Sequence, residues 1–308
     1  MFNHRNGKNV KSQNKNLYGG KNMIVKLNLD FAKRSEEFRI EFAEICEEPD
    51  LLTELSRDKS TLVLINVAKN SYTKREDLIK LAKFPDSRVQ SAVAKNNMKN
   101  YEVIEALLAS RYISVRIELA QSISDKEILD KLAKDPDYRV RRVVATNPYT
   151  RIQTLSILAE DKEVSVRLAM AKWDETKIQI RKKLEEDPDE NVRIAIARRK
   201  DTTPETLWEM AKKEKNIIVL KAIAKSQKTK GETLDWLAKK SVDLWAILSE
   251  NPNTLECTLD ILATSQSIDV LIGVLKHKNT SKKALEGLKK NANRFIRNLA
   301  YYRLYRLN

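Results

Sequence analysis

A segment of the form V-A-K-N returns along this chain every 25 to 27 residues, and that period limits the fold more than any other feature. It occurs at Val67–Asn70, Val93–Asn96, Leu119–Ser122, Val144–Asn147, Met170–Trp173, Ile196–Arg199, Ile223–Ser226, Leu248–Asn251 and Val274–His277. Nine units in phase are an internal repeat, and a period of this length means stacked supersecondary units rather than a globule.

The columns within a unit show what each one is. Fourteen residues after each start lies an apolar side chain: Leu81, Leu107, Leu158, Leu184, Met210, Leu237, Leu262 and Leu288, with Leu132 displaced by one. Three residues earlier stand Leu78, Ile104, Leu129, Leu155, Leu207, Leu234, Leu259 and Leu285. The fifth unit has Arg181 there, with Ile180 beside it. An L-x-x-L-A spacing puts its apolar groups on one stripe of a short helix. Thr73-x-x-Glu76, Thr150-x-x-Gln153, Thr176-x-x-Gln179 and Thr229-x-x-Glu232 read as capping boxes for that helix. Thr203-Pro204 reads as an N-terminus with proline at the first helical position.

A second helix is expected after turns such as Asp135-Pro-Asp137 and Asp187-Pro-Asp189, carrying Val140-Arg141, Val166-Arg167 and Val192-Arg193. It stops at the Asn column, where Asn147-Pro148 and Asn251-Pro252 block continuation. Helices of roughly eight to ten residues are marginal alone, so each unit needs its neighbours. The expected fold is therefore an all-α solenoid of about ten 26-residue, two-helix repeats. Residues 67–292 form the repeats, 27–66 a diverged N-terminal unit, and 293–308 a basic C-terminal capping helix. Residues 1–26 hold six basic residues and no acid, a composition expected to be disordered, and Met23 is an alternative start.

The stretch Val144–Arg167, read as V-A-x-N-P-x-T-x-x-x-x-L-x-x-L-A-x-D-x-x-x-x-V-R, resembles the leucine-rich repeat variant family, which is related to HEAT and armadillo solenoids. The resemblance spans about residues 41–292 and is tightest in the fourth and fifth units. After Ile196 the Val-Arg pair gives way to Val219-Leu220 and then Leu244-Trp245. It implies a right-handed superhelix of paired short helices, with one of the two open to 3₁₀ geometry. The family's founding member carries an N-terminal iron–sulfur segment. Here no cysteine cluster precedes Cys46, so that cofactor is not implied.

Composition removes other functions. Two distant cysteines, Cys46 and Cys257, and two histidines, His4 and His277, supply no metal cage, disulfide framework or triad. Three of six glycines lie in residues 1–20, leaving the body without a phosphate-cradling loop. No apolar run approaches the ~18 residues of a membrane span. No cofactor, metal, membrane or small-molecule substrate is indicated, and a reducing, cytoplasmic setting is expected. The net charge of +15 points to an acidic partner, yet it is unevenly placed. Residues 27–273 are neutral overall, while 274–308 hold ten basic residues and one acid.

Four surfaces are candidates for contact. Lys69, Lys95, Lys172, Arg198, Lys225 and Lys276 form a basic column, either a phosphate track or cations favoured at the negative ends of helix dipoles. Arg116, Arg141, Arg167 and Arg193 are expected to form a structural ladder with Asp137, Glu163 and Asp189. Lys172, Trp173, Arg198 and Arg199 combine an aromatic with cations, suited to base stacking or a protein hot spot, or else Trp173 covers a groove between units. Finally, Arg294, Arg297, Tyr301, Tyr302, Arg303 and Arg306 interleave aromatics and cations in the terminal helix, as a cap or as a binding face. The expected function is a non-enzymatic scaffold for a macromolecule, foremost a protein. Nucleic-acid binding through Lys172/Trp173/Arg198/Arg199 and the C-terminal cap is the alternative, and a HEAT-like DNA glycosylase a remote one.

Overall fold

Helices of two kinds alternate through the computed structural model, which describes residues 30–96 and 101–307. Among the described residues there are 21 α-helices and no strand. The basic stretch 1–26 and Met23 lie outside them. The first kind carries the L-x-x-L stripe, as in Arg75–Ala82, Ile152–Leu158 and Pro204–Lys213. The second kind ends at the V-A-x-N column, as in Thr61–Lys69, Val164–Lys172 and Ile268–Lys276. Glu36–Ile45 holds a second-helix place before the first full unit, and Arg294–Leu307 is the longest second helix. Both kinds are α-helical. The 3₁₀ option suggested by resemblance is confined to the single turns Phe31–Lys33 and Val242–Leu244.

Neither kind buries its stripe alone. Leu155 and Leu158 from a first helix share one apolar cluster with Val166 and Met170 from the second, and all are closed to solvent. The same columns continue as one apolar cluster from Phe31 to Leu304. At about 1.5–3 kcal/mol per large aliphatic side chain, this burial between units supplies the stability that 7–10-residue helices lack. In the diverged fifth unit Ile180 takes the buried place, and the mostly covered Arg181 pairs with Asp201 at 2.6 Å.

Second helices pack on one another from end to end of the array, whereas most first helices stand further apart. The reason lies in one small column: Ala68, Ala94, Ala120, Ala145, Ala171, Ala197 and Ala224 are all buried. A methyl group there lets the next helix approach closely.

The threonines expected as capping-box residues act differently. Thr73, Thr150, Thr176 and Thr229 lie one residue before the N-caps Lys74, Arg151, Lys177 and Lys230. Their buried hydroxyls donate to carbonyls six residues back, on Val67, Val144, Met170 and Ile223. They therefore satisfy the open carbonyl end of the preceding second helix, not the amide end of the following one. Thr203 does cap, accepting from the Thr206 amide at 3.2 Å with Pro204 at the first helical position.

Candidate interaction surfaces

Two ladders of polar side chains run through the stack and decide which basic residues face solvent. In the first, an arginine four residues past a second-helix N-cap grips the turn of the following unit. Nε and Nη2 of Arg116 donate to both oxygens of Asp135 at 2.6 and 3.0 Å. Arg141 holds Asp161 at 2.6 and 2.8 Å, Arg167 holds Asp187 at 2.7 and 3.0 Å, and Arg193 holds Glu214 at 2.7 and 3.1 Å. The Nη1 of each donates back to its own turn, on the carbonyls of Ser110, Asp135, Asp161 and Asp187. Each guanidinium thus ties two units together with the bidentate geometry that suits it to carboxylates.

This is the ladder expected from the Val-Arg column, with different acids. Asp137 and Asp189 are N-caps, accepting from the amides of Arg139 and Asn191 at 2.8 Å. Asp137 also takes a hydrogen bond from the Arg139 guanidinium, which lowers its pKa to about 2. Glu163 is an N-cap without a side-chain capping bond. The acid used is two residues earlier in each turn, where its oxygens also accept the N-cap amide: Asp135 from Asp137 and Asp187 from Asp189, both at 2.9 Å. One rung is neutral, with Gln90 and Ser110 joined at 2.5 Å. The rung before it has Leu64 and Phe84 at the corresponding positions.

The second ladder uses the Asn column. Nδ2 of Asn147 donates to the carbonyls of Ala120 and Ile123 at 2.8 and 3.1 Å, and Asn251 to those of Ala224 and Ser226 at 2.6 and 3.0 Å. Asn70 does the same to Ala43 and Cys46. Each asparagine closes the carbonyl end of the second helix one unit before it.

That ladder claims two residues expected at a partner surface. Arg199 is only 9% exposed. Its guanidinium fills the asparagine place, donating to the carbonyls of Ala171, Trp173 and Asp174 and pairing with Asp201. Arg303 likewise donates to the carbonyls of Leu275 and His277. Trp173 stands in the same column half-buried and makes no such bond. Lys172 and Arg198 are exposed one unit apart at the ends of neighbouring second helices. On the last helix Arg294, Tyr301, Tyr302 and Arg306 are exposed and Arg297 is partly covered. Lys289 lies over the Tyr301 ring at 4.9 Å and Arg306 over the Tyr302 ring at 4.8 Å.

A row that the sequence reading passed over lies beside the basic column. Ile65, Ile117, Leu168, Ile194 and Ile272 are half-buried on the outward side of the second helices. Each sits four residues before the basic-column position, hence on the same helical face. Lys69, Lys172, Arg198, Lys225 and Lys276 are exposed there without an ion pair among the described residues, while Lys95 pairs with Glu118 at 3.3 Å. The first-helix side differs: Lys131–Glu105, Lys183–Glu160, Lys213–Glu186 and Lys230–Glu205 join adjacent units at 2.5 to 2.8 Å. A cleft of about 570 Å³ opens near the C-terminal ends of Ile178–Leu184 and Pro204–Lys213, lined by residues that include Glu185, Asp187, Arg193, Met210, Lys213 and Glu214. Burial pushes the Glu185 carboxyl above the usual glutamate range. The cleft's other charges are largely taken up in the Arg193–Glu214 and Lys213–Glu186 pairs.

Among the described residues no group of histidine, cysteine and carboxylate side chains could hold a metal ion, and no helix is long and apolar enough to cross a membrane. Compared with known proteins, the chain matches no family, and no curated protein matches it either.

Proposed function

We propose that this chain is a non-catalytic scaffold whose second-helix row receives an acidic polypeptide, in a cytoplasmic setting. The observation that carries the reading is the pairing of aliphatic and cationic positions along that row. Leu168 with Lys172 and Ile194 with Arg198 repeat the arrangement in adjacent units, as Ile65 with Lys69 and Ile272 with Lys276 do further out. An extended or helical segment with alternating apolar and acidic groups would bury the aliphatic stripe and neutralise the cations at its edge. Second helices are the tightly spaced layer, and a stack with unequal layer spacing bends toward the tighter one, so the row would lie on the inner curve.

Phosphate binding asks for many cations aimed outward. Arg199 and Arg303 are turned inward, and the first-helix lysines named above are paired with acids. Fluorescence anisotropy with two probes tests the choice: a synthetic peptide alternating leucine and glutamate, and single-stranded DNA of similar length. The peptide should bind, and Leu168→Glu with Ile194→Glu should abolish its binding while the helical circular dichroism spectrum is kept. Tighter binding of DNA than of peptide, with a steep loss on adding salt, would replace this reading with a nucleic-acid one.

A further inference from the structure

The first helix of the fifth unit breaks the repeat at two positions on one face. Arg181 and its C-cap Glu185 stand where the preceding unit has Leu155 and Ala159 and the following one Leu207 and Ala211. Those four side chains are buried. Positions four apart share a helical face, so both departures lie together. The chain itself does not complete either of them. Nε of Arg181 is shut off from water and has no acceptor. The Glu185 carboxylate is half-buried and forms no hydrogen bond or ion pair among the described residues. Burial, helped by Glu186, outweighs the more distant Lys182, Lys213 and Arg181 and pushes this carboxyl up. An alanine here would pack as Ala159 and Ala211 do, so the fold has no use for the charge. A residue that breaks the local pattern without compensation inside the fold marks a functional position.

Glu185 lines the cleft of about 570 Å³, a volume within the roughly 300–1,000 Å³ of small-ligand sites. Met210 and Pro188 add apolar surface to the lining. The four other acids there are already paired: Glu186 with Lys213, Asp187 with Arg167, Glu209 with Lys212 and Glu214 with Arg193. Lys215 stands exposed. One partly dehydrated negative charge is therefore left beside apolar surface. A metal ion would need several oxygen ligands, and among the described residues no such group of side chains comes together. A single organic cation on an apolar stem needs one counter-ion and a surface for the stem, and the cleft offers both.

We propose that this cleft binds one alkylammonium group, with Glu185 as its counter-ion and the stem lying against Met210. The same chemistry belongs to a free amine and to the lysine side chain of another polypeptide. Bound ammonium replaces the water that burial has taken from the carboxylate and pulls its pKa back down. Leu168, Lys172, Ile194 and Arg198 do not line the cleft, so this site stands or falls separately from the second-helix row.

Titration calorimetry on the full 308-residue chain tests it, with n-butylamine, n-butanol and a blocked glycine–lysine–glycine peptide as probes. Butylamine should bind, and butanol, which keeps the stem and lacks the charge, should bind about tenfold more weakly or less. Glu185→Gln keeps the size of the side chain and should lower amine binding by about tenfold or more. Glu185→Ala should also lose the binding, yet melt at a higher temperature than the parent because it restores the alanine column. That gain separates loss of the site from loss of the fold. Tighter binding of the peptide than of butylamine would assign the ammonium to a partner's lysine, and the reverse order to a free amine; both support the site. No binding by either amine would overturn the proposal, as would butanol binding as well as butylamine or affinity unchanged in Glu185→Gln. So would a lower melting temperature for Glu185→Ala, which would show that the carboxylate serves the fold.

Discussion

Arg167 grips both carboxylate oxygens of Asp187, a residue 20 positions ahead and one unit on, and both side chains are more than nine-tenths buried. The pair closes a contact that neither unit makes alone. Removing one member strands a charge: Asp187→Ala should cost about 3–5 kcal/mol, read from the urea midpoint by circular dichroism. The array contains its own remedy in the neutral Gln90–Ser110 rung. Arg167→Gln combined with Asp187→Ser should recover most of the loss, and a double variant no better than Asp187→Ala would show that the charge itself is required.

Acid should weaken the stack through the same ladder. Burial pushes Asp161 and Glu214 upward, but the Arg141 and Arg193 guanidiniums and the amides of Glu163 and Asn216 outweigh it, leaving both below their usual ranges. A depressed carboxylate adds stability above its unfolded pKa, about 3.9 for Asp and 4.3 for Glu, and loses it as pH falls through the folded value. Thermal midpoints should hold steady from neutral pH to about 5 and fall below about 4. Asp161→Asn should be less stable at neutral pH and flatten that fall; an unchanged slope would remove Asp161 from the account.

Gly273 faces Ser249 so closely that an added Cβ would lie 1.9 Å from the serine Oγ. Ser249 is itself buried and bonded to the Ala246 carbonyl. Glycine to alanine inside a helix ordinarily gains about 0.5–1 kcal/mol. Here Gly273→Ala should lose about 1–3 kcal/mol by overpacking, and Ser249→Gly in the same chain should remove that penalty. A higher melting temperature for Gly273→Ala alone would mean that the two helices separate easily.

The asparagine column predicts unequal costs at equivalent positions. Asn147→Ala leaves the Ala120 and Ile123 carbonyls without their buried donor and should cost about 1–3 kcal/mol. Trp173 makes no bond of this kind, and Trp173→Asn supplies one while giving up a half-buried ring. Its stability should stay within about 1 kcal/mol of the parent in urea titration. A large loss would show that the indole covers apolar surface the asparagine cannot.

Much of the fold was readable before any coordinates because it repeats. The L-x-x-L-A stripe and the V-A-x-N column are local patterns, and apolar spacing of three and four residues leaves one way to bury them. Departures were readable as well: Arg181 could not be core, and Ile180 beside it is fully buried. Threonine followed three residues later by glutamate or glutamine satisfies a capping-box template at Thr73 and Thr150, yet those hydroxyls turn back to the preceding helix. The template compares residues within one helix and knows nothing of an open carbonyl across a turn.

The candidate surfaces were less legible for the same reason. An arginine beside a tryptophan at Arg199 reads as a contact site, but whether it faces a partner or the carbonyls of Ala171 and Trp173 depends on how closely units stack. Asp135 and Asp137 are equivalent acids in a turn until the reach of the preceding unit's arginine selects one. The amino-acid order by itself determined an all-helical stack, its period and its buried columns, because these follow from side-chain spacing along single short helices. Only tertiary structure decided which charges are consumed between units and which remain on the second-helix row. Those pairings join residues 19 to 28 positions apart, and the offset between neighbouring units sets them.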